Sequence, residues 1–271
     1  MELKKVWAVY YSATGTTAKV VRTAAGTLAE RLGLPMEERS FTRPGERREV
    51  LTFTAADLVA VGSPTYAGRL PNKILPDFQA KLQGNGALAV PVVLFGNRSY
   101  DNSLAELRAV LAANGFLPVA AGAFVGRHAF TDELAFGRPA WSDLAEIRDF
   151  AGRITEKVLA GDPGTVQVPG DPAAPYYVPK GVDGEPVKFL KARPRTDLGR
   201  CTNCGACVRV CPMGAIDPAN VAEVPGTCIK CQSCVRKCTR GAKYFDDPAF
   251  LSHVAMLERN FQEPKENRLF I

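Results

Sequence analysis

All eight cysteines of this 271-residue chain lie between Cys201 and Cys238, and the first 200 residues contain none. They form a repeat. The run Cys201, Cys204, Cys207, Cys211 recurs 27 residues later as Cys228, Cys231, Cys234, Cys238, and the match extends to Val208 with Val235, Arg209 with Arg236, and Gly214-Ala215 with Gly241-Ala242. A duplicated unit of four thiols in eleven residues is a framework for a polynuclear metal group, because soft sulfur ligands suit iron and sulfide. Zinc modules instead use two separated Cys-x2-Cys pairs. Two chemistries therefore share the chain, and its length, beyond the usual 100 to 150 residues of one domain, leaves room for two compact units.

The composition is that of an ordinary globular protein: 46% hydrophobic and 23% charged residues exclude a mainly disordered chain. The longest apolar run, Ala87 to Phe95, is interrupted by Pro91 and falls far short of the roughly 20 residues that a spanning helix needs, so no membrane span is expected. Val6 to Tyr11 is too short for a signal-peptide core. A cytoplasmic location follows as an expectation, and in that reducing compartment close-spaced cysteines are metal ligands rather than disulfides. The formal charge of +6 comes from scattered basic residues and not from a stripe, so nucleic acid is not expected as a partner.

Upstream of the cysteines, strands and helices alternate. Lys5 to Tyr11 reads as a buried strand, and Met36 to Phe41, Leu58 to Ser63, Leu88 to Phe95 and Val119 to Val125 as further strands. Helices are expected from the hydroxyl-rich turn to Leu32, and near Lys73 to Leu82, Leu104 to Asn114 and Asp143 to Leu159. The fold class is α/β, a doubly wound parallel sheet of five strands, with a second, small α+β unit. Ligands of such sheets bind at the carboxyl ends of the strands, and there the loops are unusual. Ser12, Thr14, Gly15, Thr16 and Thr17 put four hydroxyls and a glycine at a helix start, a place for an anion or simply a cap. Pro64, Thr65, Tyr66, Ala67, Gly68 and Arg69 follow the third strand; Phe95, Gly96, Asn97, Arg98, Tyr100 and Asp101 follow the fourth. Each loop offers glycine for close backbone approach and a tyrosine able to stack on a flat ring.

On those three loops residues 3 to 160 resemble the flavodoxin family. The resemblance implies FMN, its phosphate held by Ser12, Thr14, Gly15, Thr16 and Thr17 and its isoalloxazine flanked by Tyr66 or Tyr100, with amides near Gly68, Gly96 and Asn97 at its polar edge. Arg69 and Arg98 depart from the acidic rim of typical flavodoxins. A cation at the ring raises the flavin potential, whereas a cation paired with a carboxylate does nothing there. His128, after the fifth strand, is a candidate proton donor with Tyr100, while His253 reads as structural.

Residues 195 to 247 resemble a two-cluster bacterial ferredoxin, in which the fourth cysteine of each run ligates the other cluster. That implies one 4Fe-4S cluster on Cys201, Cys204, Cys207 and Cys238 and a second on Cys228, Cys231, Cys234 and Cys211. Thr239 stands where the family has a second proline, which loosens a turn and can tune that cluster. Residues 161–194 form a proline- and glycine-rich strap, expected to pack through Tyr176, Tyr177, Phe189 and Leu190. Residues 248–271 are a C-terminal helix and tail, whose face of Phe250, Val254, Leu257 and Phe261 is expected to cover the ferredoxin core. The whole chain resembles the flavodoxin-ferredoxin fusion proteins of anaerobic prokaryotes. The resemblance implies low-potential electron transfer with redox protein partners, ferredoxin-dependent or flavin-dependent oxidoreductases. The alternative is a flavin-dependent reductase of a small molecule, fed by its clusters. No Gly-x-Gly-x-x-Gly fingerprint follows any strand.

Overall fold

The computed structural model describes residues 2–161 and 163–271. Its strands are β1 (Lys5–Tyr10), β2 (Met36–Ser40), β3 (Leu51–Thr52), β4 (Asp57–Pro64), β5 (Leu82–Gln83), β6 (Leu88–Phe95), β7 (Leu117–Pro118), β8 (Ala121–Val125), β9 (Arg195–Thr196), β10 (Lys243–Tyr244) and β11 (Arg268–Phe270). The helices are α1 (Thr16–Leu32), α2 (Leu75–Lys81), α3 (Ser103–Ala113), α4 (Trp141–Leu159), α5 (Ala206–Val210), α6 (Ser233–Arg236) and α7 (Pro248–Asn260).

The main sheet runs β11-β8-β6-β4-β1-β2. Its five long strands are parallel, in the order 2-1-3-4-5 when counted alone, which is the flavodoxin-like winding. The central β6 is buried along its whole length, as expected of a parallel strand covered on both faces. One core layer sets Val20, Val21, Leu28, Phe150 and Ile154 of α1 and α4 against Val6, Ala8 and Val90. The opposite layer sets Phe78, Leu104, Leu107 and Leu111 of α2 and α3 against Val9, Val61 and Val93. At Gly62 a Cβ would stand 2.3 Å from Val21 Cγ2, so glycine lets α1 lie close to β4.

Two features differ from the expectation. The sheet carries extra short strands: β7 beside β6, and β11, which pairs antiparallel with the β8 edge and returns the C-terminus to the first unit. The helix α7 does not cover the ferredoxin core, which consists of Ala215, Ile216, Val221, Val224 and Cys234. Its buried residues are Phe250, His253, Met256 and Leu257. These meet Phe130 and Leu134 in the loop after β8, Phe189 of the strap, and Phe245 at the end of the cysteine unit. An amphipathic face states that something covers it, and here the cover is a loop and the strap. Among the described residues no helix is long and apolar enough to cross a membrane.

The strap is packed as expected. Tyr176 Oη donates to Leu70 O at 2.8 Å, the Tyr177 amide donates to Ala67 O at 2.8 Å, and Phe189 stacks on His253 at 5.4 Å. Leu190 is no anchor of the core, being 82% exposed, although its carbonyl accepts from Lys230 Nζ at 3.2 Å.

Candidate functional site

The carboxyl ends of β1, β4, β6 and β8 surround a cavity of about 690 Å³, within the usual range for a small-ligand site. The helix α1 begins at its base. Gly15, with φ 101°, turns the chain into the helix, whose first turn carries no acidic residue. Ser12 Oγ accepts from the Ala18 amide at 3.0 Å and is spent on the helix, whereas Thr14, Thr16 and Thr17 face the cavity. Neutral hydroxyls at a free helix N-terminus fit a phosphate.

The three loops separate into lining and support. Pro64, Thr65, Tyr66, Ala67 and Gly68 line the cavity, as do Phe95, Gly96 and Arg98. Arg69 does not. Its guanidinium is buried against Glu106, Nε to Oε2 at 2.9 Å and Nη2 to Oε1 at 2.5 Å, so of the two readings given for it the carboxylate pair holds. Arg98 lies on the cavity wall, paired with Asp101 and 4.1 Å over the Tyr177 ring. Tyr100 packs on Phe95 at 5.5 Å, away from the wall, which leaves Tyr66 as the tyrosine of the two on the cavity. Asn97 is a clamp: Nδ2 donates to Phe261 O at 2.6 Å and Glu263 O at 3.0 Å, while Oδ1 accepts from the Lys265 amide at 3.0 Å.

His128 faces the cavity, and its ring lies so near Gly96 that a Cβ there would meet it at 2.3 Å. Burial, helped by the positive neighbours His253, Arg236 and Arg98, pushes its pKa down to about 4. The imidazole is thus neutral near pH 7, with Nδ1 accepting from the Phe130 amide at 3.1 Å and Nε2 left to donate. His253 also reaches the wall, but its Nδ1 is engaged with Lys180 O at 2.9 Å.

The cysteines surround two hollows. One is lined by Cys201, Cys204, Cys207 and Cys238, the other by Cys211, Cys228, Cys231 and Cys234, so each run contributes one cysteine to its neighbour's set. The donor chemistry fits iron–sulfur clusters. Four sulfurs ring each hollow, and backbone amides already point at sulfur: Ala215 N to Cys211 Sγ and Ala242 N to Cys238 Sγ at 3.3 Å, and Asn203 N to Cys201 Sγ at 3.4 Å. The hollows differ in burial. Burial pushes the Cys234 thiol up to about 12 and raises Cys231 and Cys228, whereas Cys204 is fully exposed and the Ala206 amide lowers its pKa.

The buried hollow adjoins the cavity, since Cys228 and Cys231 line both. The unit docks through Met213 and Ile229 on the core of the first unit, through Arg47 Nη2 to Pro212 O at 2.8 Å, and through Arg236. Arg236 donates to Ala129 O at 3.0 Å and His128 O at 3.1 Å and pairs with Asp132. Tyr11 packs in the same core as Tyr66, Met213, Ile229 and Cys231; its buried hydroxyl neighbours that of Tyr66, with Cys231 and Cys211 nearby. Sequence reasoning missed this wall of the cavity. The available signal was the pair Ile229-Lys230, which stands where the first run has Thr202-Asn203.

Residues 192–243 match the family described as a 4Fe-4S dicluster domain. No curated protein matches the chain. Similar solved structures include a flavodoxin from the domain Archaea, at 18% identity over 57% of this chain and 99% of that one, with a TM-score of 0.40. The flavodoxin of Streptococcus pneumoniae TIGR4 is 22% identical over 56% and 99%, with a TM-score of 0.39. Rubredoxin oxygen:oxidoreductase from Desulfovibrio gigas is 15% identical over 59% of this chain and 37% of its own length, with a TM-score of 0.36.

Proposed function

We propose that the chain is a low-potential electron transfer protein in which two 4Fe-4S clusters and one FMN form a single path. The observation that carries this reading is the shared wall: Cys228 and Cys231 line both the inner cysteine hollow and the cavity at the strand ends. When bound, FMN exchanges one or two electrons and each cluster one, so the set joins one-electron and two-electron chemistry. Thr14, Thr16 and Thr17 hold the phosphate at the start of α1, and Tyr66 and Tyr177 present flat rings to the flavin. The strap and α7 contribute Tyr176, Tyr177, Phe189, His253 and Leu257 to the cavity lining. In the domain division, residues 1–160 form the flavin unit, 161–194 the strap, 195–247 the cluster unit and 248–271 the helix and tail that tie them together.

Anaerobic reconstitution followed by metal, sulfide and flavin analysis tests the reading. Two four-iron clusters and one FMN per chain are expected. A chain that takes up zinc instead, or binds no flavin, contradicts it.

One observation favours reduction of a small molecule at the flavin as the second reading. Lys73 and Lys230 line the cavity with Arg98 and Arg127, which pair with Asp101 and Asp132, and no carboxylate stands among its described lining residues, which suits an anionic acceptor. A screen of anionic electron acceptors against the reduced protein tests it, with turnover expected and its absence across the screen contradicting it.

A further inference from the structure

The duplication in the cysteine unit extends to the backbone. Asn203 and Lys230 share φ values of 53° and 56°, Gly205 and Gln232 of 68° and 64°, and Gly214 and Gly241 of 58° each. The 27-residue offset therefore relates two similar faces, and the chain itself shows what the inner one is for. There Met213 and Ile229 pack on the flavodoxin-like core, and Arg236 reaches Asp132 and two carbonyls.

The counterparts on the outer face are Arg240 for Met213, Thr202 for Ile229 and Arg209 for Arg236. All three are exposed, as is Cys204, the counterpart of Cys231. Arg209 Nη1 donates to Cys204 O at 2.9 Å, and Arg240 lines the outer hollow. Arg200 lies against Gly241, where a Cβ would be 2.7 Å from its Nη2. Among the described residues none of these three arginines is in an ion pair, while Arg236 and Arg195 in the same unit are. The apolar contacts that make the inner interface permanent are replaced by polar and cationic ones. That is the composition of a surface that associates and releases.

We propose that this outer face docks an acidic one-electron redox protein, whose carboxylates meet Arg200, Arg209 and Arg240 as Asp132 meets Arg236. The inference rests on the two-cluster reading above. One electron leaves the partner's reduced centre and enters the outer cluster at its Cys204 edge; no bond is made or broken and no proton moves. The sealed inner face and the exposed outer one then give the path its direction in space, from surface to flavin.

The test uses the reconstituted full-length protein and a reduced, strongly acidic plant-type 2Fe-2S ferredoxin as probe, whose spectrum differs from that of a 4Fe-4S cluster, followed by stopped-flow absorbance. Reduced methyl viologen, a small cation, is the control donor. The ferredoxin rate constant is expected to fall about tenfold or more as salt rises from roughly 0.01 to 0.5 M. Combined Arg200→Glu and Arg209→Glu is expected to lower the low-salt rate by a similar factor, the two Arg→Lys changes to keep most of it, and methyl viologen to react at least as fast with the charge-reversed protein. A ferredoxin rate indifferent to salt and to these substitutions overturns the proposal. So does binding to phosphatidylserine vesicles that the Glu variant loses while its ferredoxin rate is unchanged. Docking is read on the cluster bleach and internal wiring on the flavin bleach, so the proposal and the reading beneath it fail separately.

Discussion

A buried hydroxyl short of a partner costs roughly 1–3 kcal/mol, and Tyr11 Oη has only the Tyr66 hydroxyl beside it, so a further acceptor there would be stabilising. A thiolate or sulfide of the inner cluster would supply one. A hydrogen bond to sulfur stabilises the reduced, more negative cluster, and Tyr11→Phe is expected to lower the inner cluster's potential by roughly 20 to 60 mV, the equivalent of a bond of about 0.5–1.5 kcal/mol. EPR-monitored titration checks this, and an unchanged potential would mean that the hydroxyl serves no sulfur. His128 gives a prediction in pH. Its folded pKa of about 4 lies below the ordinary 6.5, so the unfolded chain binds the extra proton, and the stabilisation is complete above pH 6.5 and lost as pH falls toward 4. Urea unfolding at about pH 7 and pH 5 is expected to show a loss of about 2 kcal/mol that His128→Gln does not show. Equal pH dependence in both proteins would contradict the burial of a neutral ring. Arg98→Ala is expected to lower the flavin potential only slightly, because Arg98 is on the cavity wall but already paired with Asp101; Arg69→Lys is expected to leave it unchanged, because that cation is off the wall and spent on Glu106. Nothing in the sequence separated these two arginines. Arg98 meets Asp101 three residues on in the same loop, whereas Arg69 meets Glu106 of α3, which only the fold brings to it.

At the scale of elements, the long repeating patterns were readable and the short ones were not. The five parallel strands and four flanking helices begin and end within about two residues of the positions that the sequence pattern indicates, since all but the edge strand β2 bury a face or a whole run against neighbours. β11 has three residues, too few for any period, and its place on the edge of β8 depends on side chains far upstream. Asn267 is the clearest of these. Its Oδ1 accepts from the Val125 amide at 2.9 Å, and Nδ2 donates to Asp143 at 3.0 Å and Glu146 at 2.5 Å. Asn267→Ala leaves a buried amide and a buried carboxylate short of partners. A loss of roughly 1–3 kcal/mol in urea unfolding is expected, with faster release of bound FMN, because the tail also carries the carbonyls that Asn97 clamps. Stability unchanged by the substitution would show that β11 is not held by this residue.

For the whole molecule, the cysteine spacing implies two similar metal sites without stating which of them meets the cavity. The answer is in the residues between the cysteines. Ile229 and Met213 give the second hollow an apolar face to bury, and Thr202 and Arg240 give the first a face that stays in water. Burial then follows chemistry, with Cys234 buried at the inner hollow and Cys204 exposed at the outer one. The strap and tail, which have little secondary structure of their own, cross the boundary at Ala67, Leu70, Asn97 and Val125 and fix the two units in one arrangement. Fixed centres on one chain should exchange electrons without collision between molecules. The direct test is to reduce the clusters of the anaerobic holo-protein with a short light pulse and follow the flavin at several protein concentrations. A flavin reduction rate independent of concentration is the predicted result. A rate that rises in proportion to protein concentration, or a flavin that stays oxidised beside reduced clusters, would contradict the account.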